Sequence, residues 1–253
     1  MADDTRPQDL EHAHHPEAIR ARVDGAGGGH GYLPHGVLGA MDGSITTFTI
    51  VAGAVGGGLA GTVVVILGVA KVVADALSMA VSDYLGTRSE VQQVARARSM
   101  ENRHIDVAPE GEREELRQIF RRKGLGGETL EQVVAVLTQD REVWIETMLK
   151  DELHLPTTVA SPLRAAAATF VAFLAVGVIP LAPFLVMPHD PSRAFAISAG
   201  ITGLAFVGVG LVRGRALDLS PWRATLETLG TGAAAAVVAY AIGAWLRSSQ
   251  GLS

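Results

Sequence analysis

Four long stretches of the chain carry no charged residue, and a polar region separates the first from the other three. The charge-free stretches are residues 44–70, 165–186, 194–212 and 230–246. About 20 such residues span a hydrocarbon core that is roughly 30 Å thick. Residues 85–164 are instead dense in Arg and Glu. This pattern predicts an integral membrane protein with one polar domain inserted between hydrophobic segments.

The first hydrophobic block is too long for one simple span, because it continues through residues 71–85. Gly56, Gly57 and Gly58 offer a turn, so we predict two helices over about residues 37–55 and 59–85. A single span over residues 45–70 is the alternative that hydropathy leaves open. With the three later segments the count is five spans, which predicts an all-α fold.

The polar region has helical periodicity and clear stops. We predict one helix from Pro109 to Gly124, a second over about residues 128–138, and a third from Asp140, a good N-cap, to about residue 153. A small core is expected from Leu116, Ile119, Phe120, Val133, Val134, Leu137, Val143 and Trp144. The predicted organisation is an N-terminal tail (1–34), helices 1 and 2 (35–88), a cytoplasmic helical domain (89–160) and helices 3–5 (161–253).

Basic residues predict the sidedness, because cytoplasmic loops accumulate Lys and Arg. Five spans place the tail, the polar domain and the loop with Arg213 and Arg223 on one face. That face holds all but three of the 21 Lys and Arg residues, the exceptions being Lys71, Arg193 and Arg247. We therefore expect the N-terminus and the polar domain to be cytoplasmic.

Polar side chains inside the predicted spans are costly and need a partner or a task. Asp42 lies at the edge of the first span, while Lys71, Asp75, Met79 and Asp83 recur every four residues on the second helix. One interpretation is an ion pair between Lys71 and Asp75 with Met79 as packing. The other is a path for a borderline divalent metal, since carboxylates and a thioether combine hard and soft donors. Carboxylates in a partly dry site also titrate, so metal could exchange against protons.

Candidate ligands also occur in the polar domain. Glu101 and His104 are three residues apart, as are Glu112 and Glu115, and residues at this spacing share a helix face. The last helix adds Glu146, Met148 and Glu152. Metal binding is one interpretation. The alternative is that the acids at the start of the Pro109 helix only complement the helix dipole.

Composition narrows the function classes. The chain has no Cys, which excludes disulfides and thiolate sites. We find no nucleophile motif or cofactor fingerprint, so we expect no enzyme and no prosthetic group, and we expect no nucleic-acid partner. The N-terminal 34 residues lack a signal-peptide pattern and are expected to form a disordered tail; His12, His14, His15, His30 and His35 there or beside it allow metal capture as a minor alternative.

Four motifs then converge on a known family. "MDGSITTFTIVAGAVGG", "ADALSMAVSDYLGTRSE", "EREELRQIFRRKGL" and "WIETMLKDELHL", in this order, resemble the vacuolar iron transporter family, over the chain from about His35 to its C-terminus. The resemblance implies a homodimer of five-helix subunits with a cytoplasmic three-helix metal-binding domain between helices 2 and 3. It further implies export of Fe²⁺, and often Mn²⁺, from the cytosol in exchange for protons.

The resemblance also implies roles for individual residues. Asp42 and Met79 match path-lining positions, and the domain's metal ligands match Glu101, His104, Glu112, Glu115, Met148 and Glu152. His104 stands where the family usually has Glu, and Leu149 where some members have Met. Residues 91–97 also carry no carboxylate, so we expect the domain to bind fewer ions, or to bind them less tightly, than in acid-rich relatives. Small residues in the first helices, among them Gly43 beside Asp42, fit close helix approach and a dimer.

We therefore predict a proton-coupled exporter of Fe²⁺, with Mn²⁺ as second substrate, in a bacterial plasma membrane. Its transport path includes Asp42, Asp75, Met79 and Asp83. The alternative from another class is a membrane-anchored metal buffer or sensor that moves no ion.

Overall fold

All the regular structure that the computed structural model describes is helical. It describes residues 15–25, 31–217 and 219–249. The helices are α1 (Pro16–Gly25), α2 (Leu33–Gly56), α3 (Gly61–Val107), α4 (Pro109–Arg122), α5 (Gly127–Leu137), α6 (Arg141–Asp151), α7 (Pro162–Gly177), α8 (Ala182–Val186), α9 (Pro191–Ala216) and α10 (Pro221–Ser249).

The chain divides into two compact units. We call Tyr32–Ala95 with Ala160–Ser253 the membrane unit, and Arg96–Val159, to which the segment Met1–Gly31 is assigned, the polar unit. The boundary at residue 96 lies within α3. The predicted domain boundary, at residue 88, also lies within this continuous helix.

A glycine turn joins α2 to α3. The Gly57 N–H donates to the Gly53 carbonyl, and the Leu59 N–H to the Ala54 carbonyl. Gly58 has φ +71°, a left-handed conformation that favours glycine. The turn confirms the two-helix interpretation of the first hydrophobic block over the single-span alternative.

Only part of α3 can lie in a bilayer. At about 1.5 Å per residue, its 47 residues extend for about 70 Å, more than twice a hydrocarbon core of roughly 30 Å. Its charge-free apolar stretch, residues 61–70, is in its first half. Glu101 and His104, about 60 Å or more along the axis from the start, therefore lie outside the hydrocarbon.

Within the part of the chain that the structure describes, five helical segments are long and apolar enough to cross a membrane, as predicted. The third of them, Pro162–Val186, is not one regular helix. After α7 it forms a 3-10 turn at Ile179–Leu181 and then α8. Pro180 and Pro183 lack the N–H groups that would continue the helix, which explains the interruption.

The membrane unit packs closely around α2. A Cβ on Gly43 would lie 2.6 Å from the main-chain oxygen of Phe173 in α7, so only glycine permits this approach. The expectation that Gly43 lets another helix come close is thereby confirmed, and that helix is α7 of the same chain.

The polar unit contains the three predicted helices, α4, α5 and α6. Asp140 caps α6, its carboxylate accepting from the N–H groups of Glu142 and Val143 at 2.9 and 3.3 Å. The core includes Leu116, Ile119, Leu130, Val134, Trp144, Ile145, Met148 and Leu149. The prediction for Val143 was wrong. It is 41% exposed, because α6 turns its Trp144, Ile145, Met148 and Leu149 side to the core.

The N-terminal segment contains α1, where we had expected no regular structure. Pro16 at the first position and Glu17 in the first turn both favour a helix start. His12, His14 and His30 lie outside the described residues.

Candidate metal centre

The end of α3 and the start of α4 bring three ligand side chains together. The chain leaves the α-helical conformation at Ala108, and Pro109 opens α4, so the first turns of α4 begin beside the last turns of α3. Glu101 and His104 come from α3 and Glu112 from α4. One ligand atom from each lies within 4.8 Å of the others, the only such group of three among His, Asp and Glu in the described residues.

Two of the three side chains are buried. Glu101 is 1% exposed and Glu112 is 4% exposed, whereas the His104 side chain is 42% exposed. The His104 Nδ1 atom lies 3.3 Å from Glu112 Oε1. The Oε2 atoms of both glutamates are buried without a hydrogen-bond partner. Such orphaned acceptors are costly in a folded protein, and a bound cation would satisfy them.

Burial and mutual repulsion perturb the titration of these carboxyls. Burial, followed by the charges of Glu112 and Glu152, raises the pKa of Glu101 to about 7. Burial and then Glu115 raise the pKa of Glu112, while His104 acts in the opposite direction. Desolvation, then Glu115 and Glu112, raise the pKa of Glu152. With a pKa of about 7, Glu101 holds a proton part of the time near neutral pH, and a divalent cation would displace that proton.

The structure brings most of the predicted ligands of the polar unit into one neighbourhood. Glu101, His104 and Glu112 converge directly, and Glu115 and Glu152 are exposed side chains whose charges act on them. Met148 is fully buried in the hydrophobic core of the unit. An imidazole with carboxylates is a donor set suited to Fe²⁺ and neighbouring divalent metals.

The candidate residues in the membrane unit are arranged differently. Lys71 forms an i,i+4 ion pair with Asp75, as in one of the two sequence-based interpretations. Both residues are close enough to Asp42 to act on it electrostatically. Met79 is partly buried against the cluster that contains Val72 and Ala76. No three acids of this set converge on one point within the described residues.

Asp83, predicted on the same stripe, has partners that the sequence did not suggest. His35 Nδ1 lies 2.9 and 3.0 Å from its two carboxylate oxygens. The Thr169 hydroxyl lies 2.6 Å from Asp83 Oδ2. Sequence reasoning missed both partners. The available signal was that His35 precedes Asp42 by two helical turns and so shares its face.

Residues 33–244 match the model of the VIT family. The chain belongs to the VIT family. Relatives include vacuolar iron transporter 2 of Oryza sativa subsp. japonica, 31% identical over 205 residues, which cover 81% of this chain and 83% of the relative.

Vacuolar iron transporter 1 of Arabidopsis thaliana is also 31% identical, over 81% of this chain and 82% of the relative. A vacuolar iron transporter of Toxoplasma gondii is 26% identical, over 85% of this chain and 74% of the relative. The VIT family and these relatives are transporters, not enzymes, and the resemblance read from the sequence is confirmed.

Proposed function

We propose that this VIT family member exports Fe²⁺, with Mn²⁺ as second substrate, from the cytosol in exchange for protons. The observation that carries the proposal is the pair of buried carboxylates, Glu101 and Glu112, whose orphaned oxygens lie beside His104. Relatives named as iron transporters support metal as the cargo. The basic residues expected on one face support a cytoplasmic polar unit.

The proposed cycle begins with capture of the ion at Glu101, His104 and Glu112. Capture displaces a proton, since the pKa of Glu101 is about 7 in the metal-free protein. The exposed imidazole leaves one side of the ion open, so that it is held without a closed shell. The ion then passes to Asp42 and Met79 in the membrane unit and leaves on the far face as protons return.

Asp42 is the proposed membrane carboxylate of this path, with Asp75 and Lys71 nearby. A carboxylate that holds either a proton or a divalent cation couples the two flows, because the two ligands compete for the same oxygens. The ion pair between Lys71 and Asp75 leaves Asp42 as the membrane carboxylate best placed for exchange. The family resemblance implies a homodimer. We propose that this protein is also a homodimer, in a bacterial plasma membrane.

A metal buffer without transport is the competing function. The geometric fact in its favour is that the converging ligands lie in the polar unit and not in the spans. Purified protein in sealed liposomes separates the two functions. A transporter accumulates Fe²⁺ or Mn²⁺ with a rate that follows the imposed pH gradient, whereas a buffer saturates at a fixed stoichiometry.

Asp42→Asn is the decisive variant in that assay. We expect it to lower the initial rate of Fe²⁺ transport by at least about tenfold, because the amide cannot exchange a proton for the cation. Glu227→Gln is the matched control, since Glu227 is an exposed acid on α10 that pairs with Arg213. Equal rates for Asp42→Asn and the wild type would refute the assigned path.

A further inference from the structure

Asp83 is held by side chains from two other helices of the membrane unit. Its Oδ1 and Oδ2 atoms lie 2.9 and 3.0 Å from His35 Nδ1 of α2, and Oδ2 lies 2.6 Å from the Thr169 hydroxyl of α7. The geometry points to Asp83 as a positioning residue, which together with His35 and Thr169 holds α3 in register with α2. The inference rests on the proposed function, because the residue that this register places is Asp42.

His35 and Thr169 belong to a tightly packed helix pair. A Cβ on Gly39 would clash with the main-chain oxygen of Thr169, so α2 and α7 touch there backbone to backbone. The Thr169 hydroxyl also lies 3.2 Å from the main-chain oxygen of His35. Its single proton serves one acceptor at a time, and the shorter contact is to Asp83. The two partners of Asp83 therefore form one rigid support.

The apolar part of α3 is less fully enclosed than α2. Leu77, Val81 and Leu85 are each more than half exposed, while Val72 and Ala76 form the buried side. The turn at Gly58 ties the start of α3 to α2. Asp83 lies about 33 Å along α3 from the start of this helix. There its hydrogen bonds to side chains of α2 and α7 fix the lateral position of α3.

The register follows from the spacing along the two helices. Asp42 comes seven residues after His35 on α2, and Asp75 comes eight residues before Asp83 on α3. These steps are about 10 and 12 Å along the two axes, and helices joined by a short turn run antiparallel. The contact between His35 and Asp83 therefore brings Asp42 opposite Asp75. The electrostatic action of Asp75 on Asp42 agrees with this placement.

The hydrogen bonds also indicate that Asp83 is not itself a ligand of the transported ion. Both of its oxygens are engaged by donors, so a cation at Asp83 would first have to displace the imidazole and the hydroxyl. This differs from Glu101 and Glu112, whose Oε2 atoms have no partner. The transport-path role predicted for Asp83 thus becomes an indirect one, exerted through Asp42.

Spin labels can measure this register directly, because the chain has no Cys. Leu38→Cys on α2 and Val81→Cys on α3 place two labels at sites that are each 55% exposed. Their separation is measured by electron paramagnetic resonance in lipid nanodiscs, with Asp83 intact, Asp83→Ala or Asp83→Asn. The same Asp83 variants, without labels, are assayed for Fe²⁺ transport in liposomes.

We expect Asp83→Ala to broaden the distance distribution and to lower the transport rate by at least about tenfold, because both bonds are lost. Asp83→Asn should keep the distribution and a rate within about threefold of wild type. Its amide oxygen accepts from the Thr169 hydroxyl in the place of Oδ2, and its NH2 group donates to Nδ1 of a neutral His35 ring that carries its proton on Nε2. The loss in Asp83→Ala should appear in kcat. An unchanged distance distribution in Asp83→Ala overturns the inference. An Fe²⁺ transport rate in Asp83→Asn as low as that in Asp83→Ala overturns it as well.

Two further variants keep the test decisive if Asp83→Ala fails to fold. Thr169→Val removes one bond with little change in shape, and a smaller broadening in the same direction is expected. Glu90→Gln is the matched control, since Glu90 is an exposed acid on the same helix, and it should change neither readout. If the wild type moved no ion, the proposed function would fail, while the label distances would still decide whether Asp83 positions α3.

Discussion

Two groups of carboxylates and histidine in this chain look alike by composition but differ in how their oxygens are satisfied. In the polar unit, Glu101 and Glu112 each keep a buried oxygen without a partner beside His104. In the membrane unit, both oxygens of Asp83 receive hydrogen bonds. The first arrangement is costly without a cation, and the second is complete without one.

Residue type alone therefore does not separate a metal ligand from a residue that joins two helices. A carboxylate that is buried with a free lone pair has a site to offer an ion. A carboxylate whose donors come from other helices holds those helices together instead. Satisfaction of the buried acceptors is therefore the property that assigns the two roles, and it can be tested in both units.

The largest expected effect is on metal affinity in the polar unit. Glu112→Gln should weaken Mn²⁺ or Fe²⁺ binding by roughly 100-fold or more, because it removes a buried charged ligand. Competition with a fluorescent chelator on the purified full chain measures this affinity. Glu110→Gln is the control from the same helix, since the Glu110 side chain is 77% exposed and pairs with Arg113. Similar affinities for the two variants would contradict the site.

Much of the fold could be predicted because its signals are local. The glycine turn before α3, the proline start of α4 and the Asp140 cap of α6 each act within a few residues. Charge-free length, together with the glycine turn that divides the first hydrophobic block, then sufficed to count five spans. The break between α7 and α8 also has a local cause, but its prolines lie inside a stretch whose hydropathy is uniform.

The candidate site could be predicted only in part. Glu101 and His104 share a face of one helix, which periodicity reveals. That Glu112 is buried against them depends on how α4 packs after Pro109, which no spacing gives. The contacts from Asp83 to His35 and Thr169 join residues 48 and 86 positions apart. Helical periodicity states which face a residue occupies but not which neighbour that face meets.

The next effect is a pH dependence confined to the polar unit. The pKa of Glu101 is raised to about 7 from a usual value of 4.5. The folded state thus holds a proton that the unfolded state has released, and the stability this gives is full below about pH 4.5 and lost as pH rises through about 7. The metal-free polar unit should lose at most about 3 kcal/mol over that range.

Hydrogen exchange of peptides from residues 96–159 in the full chain measures this local stability between pH 5.5 and 8. Glu101→Gln should abolish most of the dependence and stabilise the metal-free unit at pH 8. Metal binding should instead strengthen as the pH rises, by about tenfold per pH unit below 7 for each displaced proton. A metal-free stability that is flat with pH would show that Glu101 is already satisfied.

The smallest effect concerns His154, which is close in sequence to the candidate ligand Glu152 but has a structural role at the end of α6. His154 lies two residues after Glu152 and has φ +52°, the left-handed conformation that favours glycine. The Leu155 N–H donates to the Leu149 carbonyl at 2.8 Å and closes the end of α6 around it. His154→Gly should therefore stabilise the polar unit by about 0.5 to 1 kcal/mol, read as slower exchange of the α6 amides.

The same variant should leave Mn²⁺ affinity unchanged, whereas His104→Ala should weaken it. His104 and His154 show, within the polar unit alone, the same contrast between a ligand and a structural residue. His104 has its imidazole beside a buried carboxylate, and His154 is defined by its backbone conformation. If His154→Gly weakened metal binding as much as His104→Ala, the imidazole of His154 would be a ligand, and contacts in the metal-free structure would not be sufficient to assign the two roles.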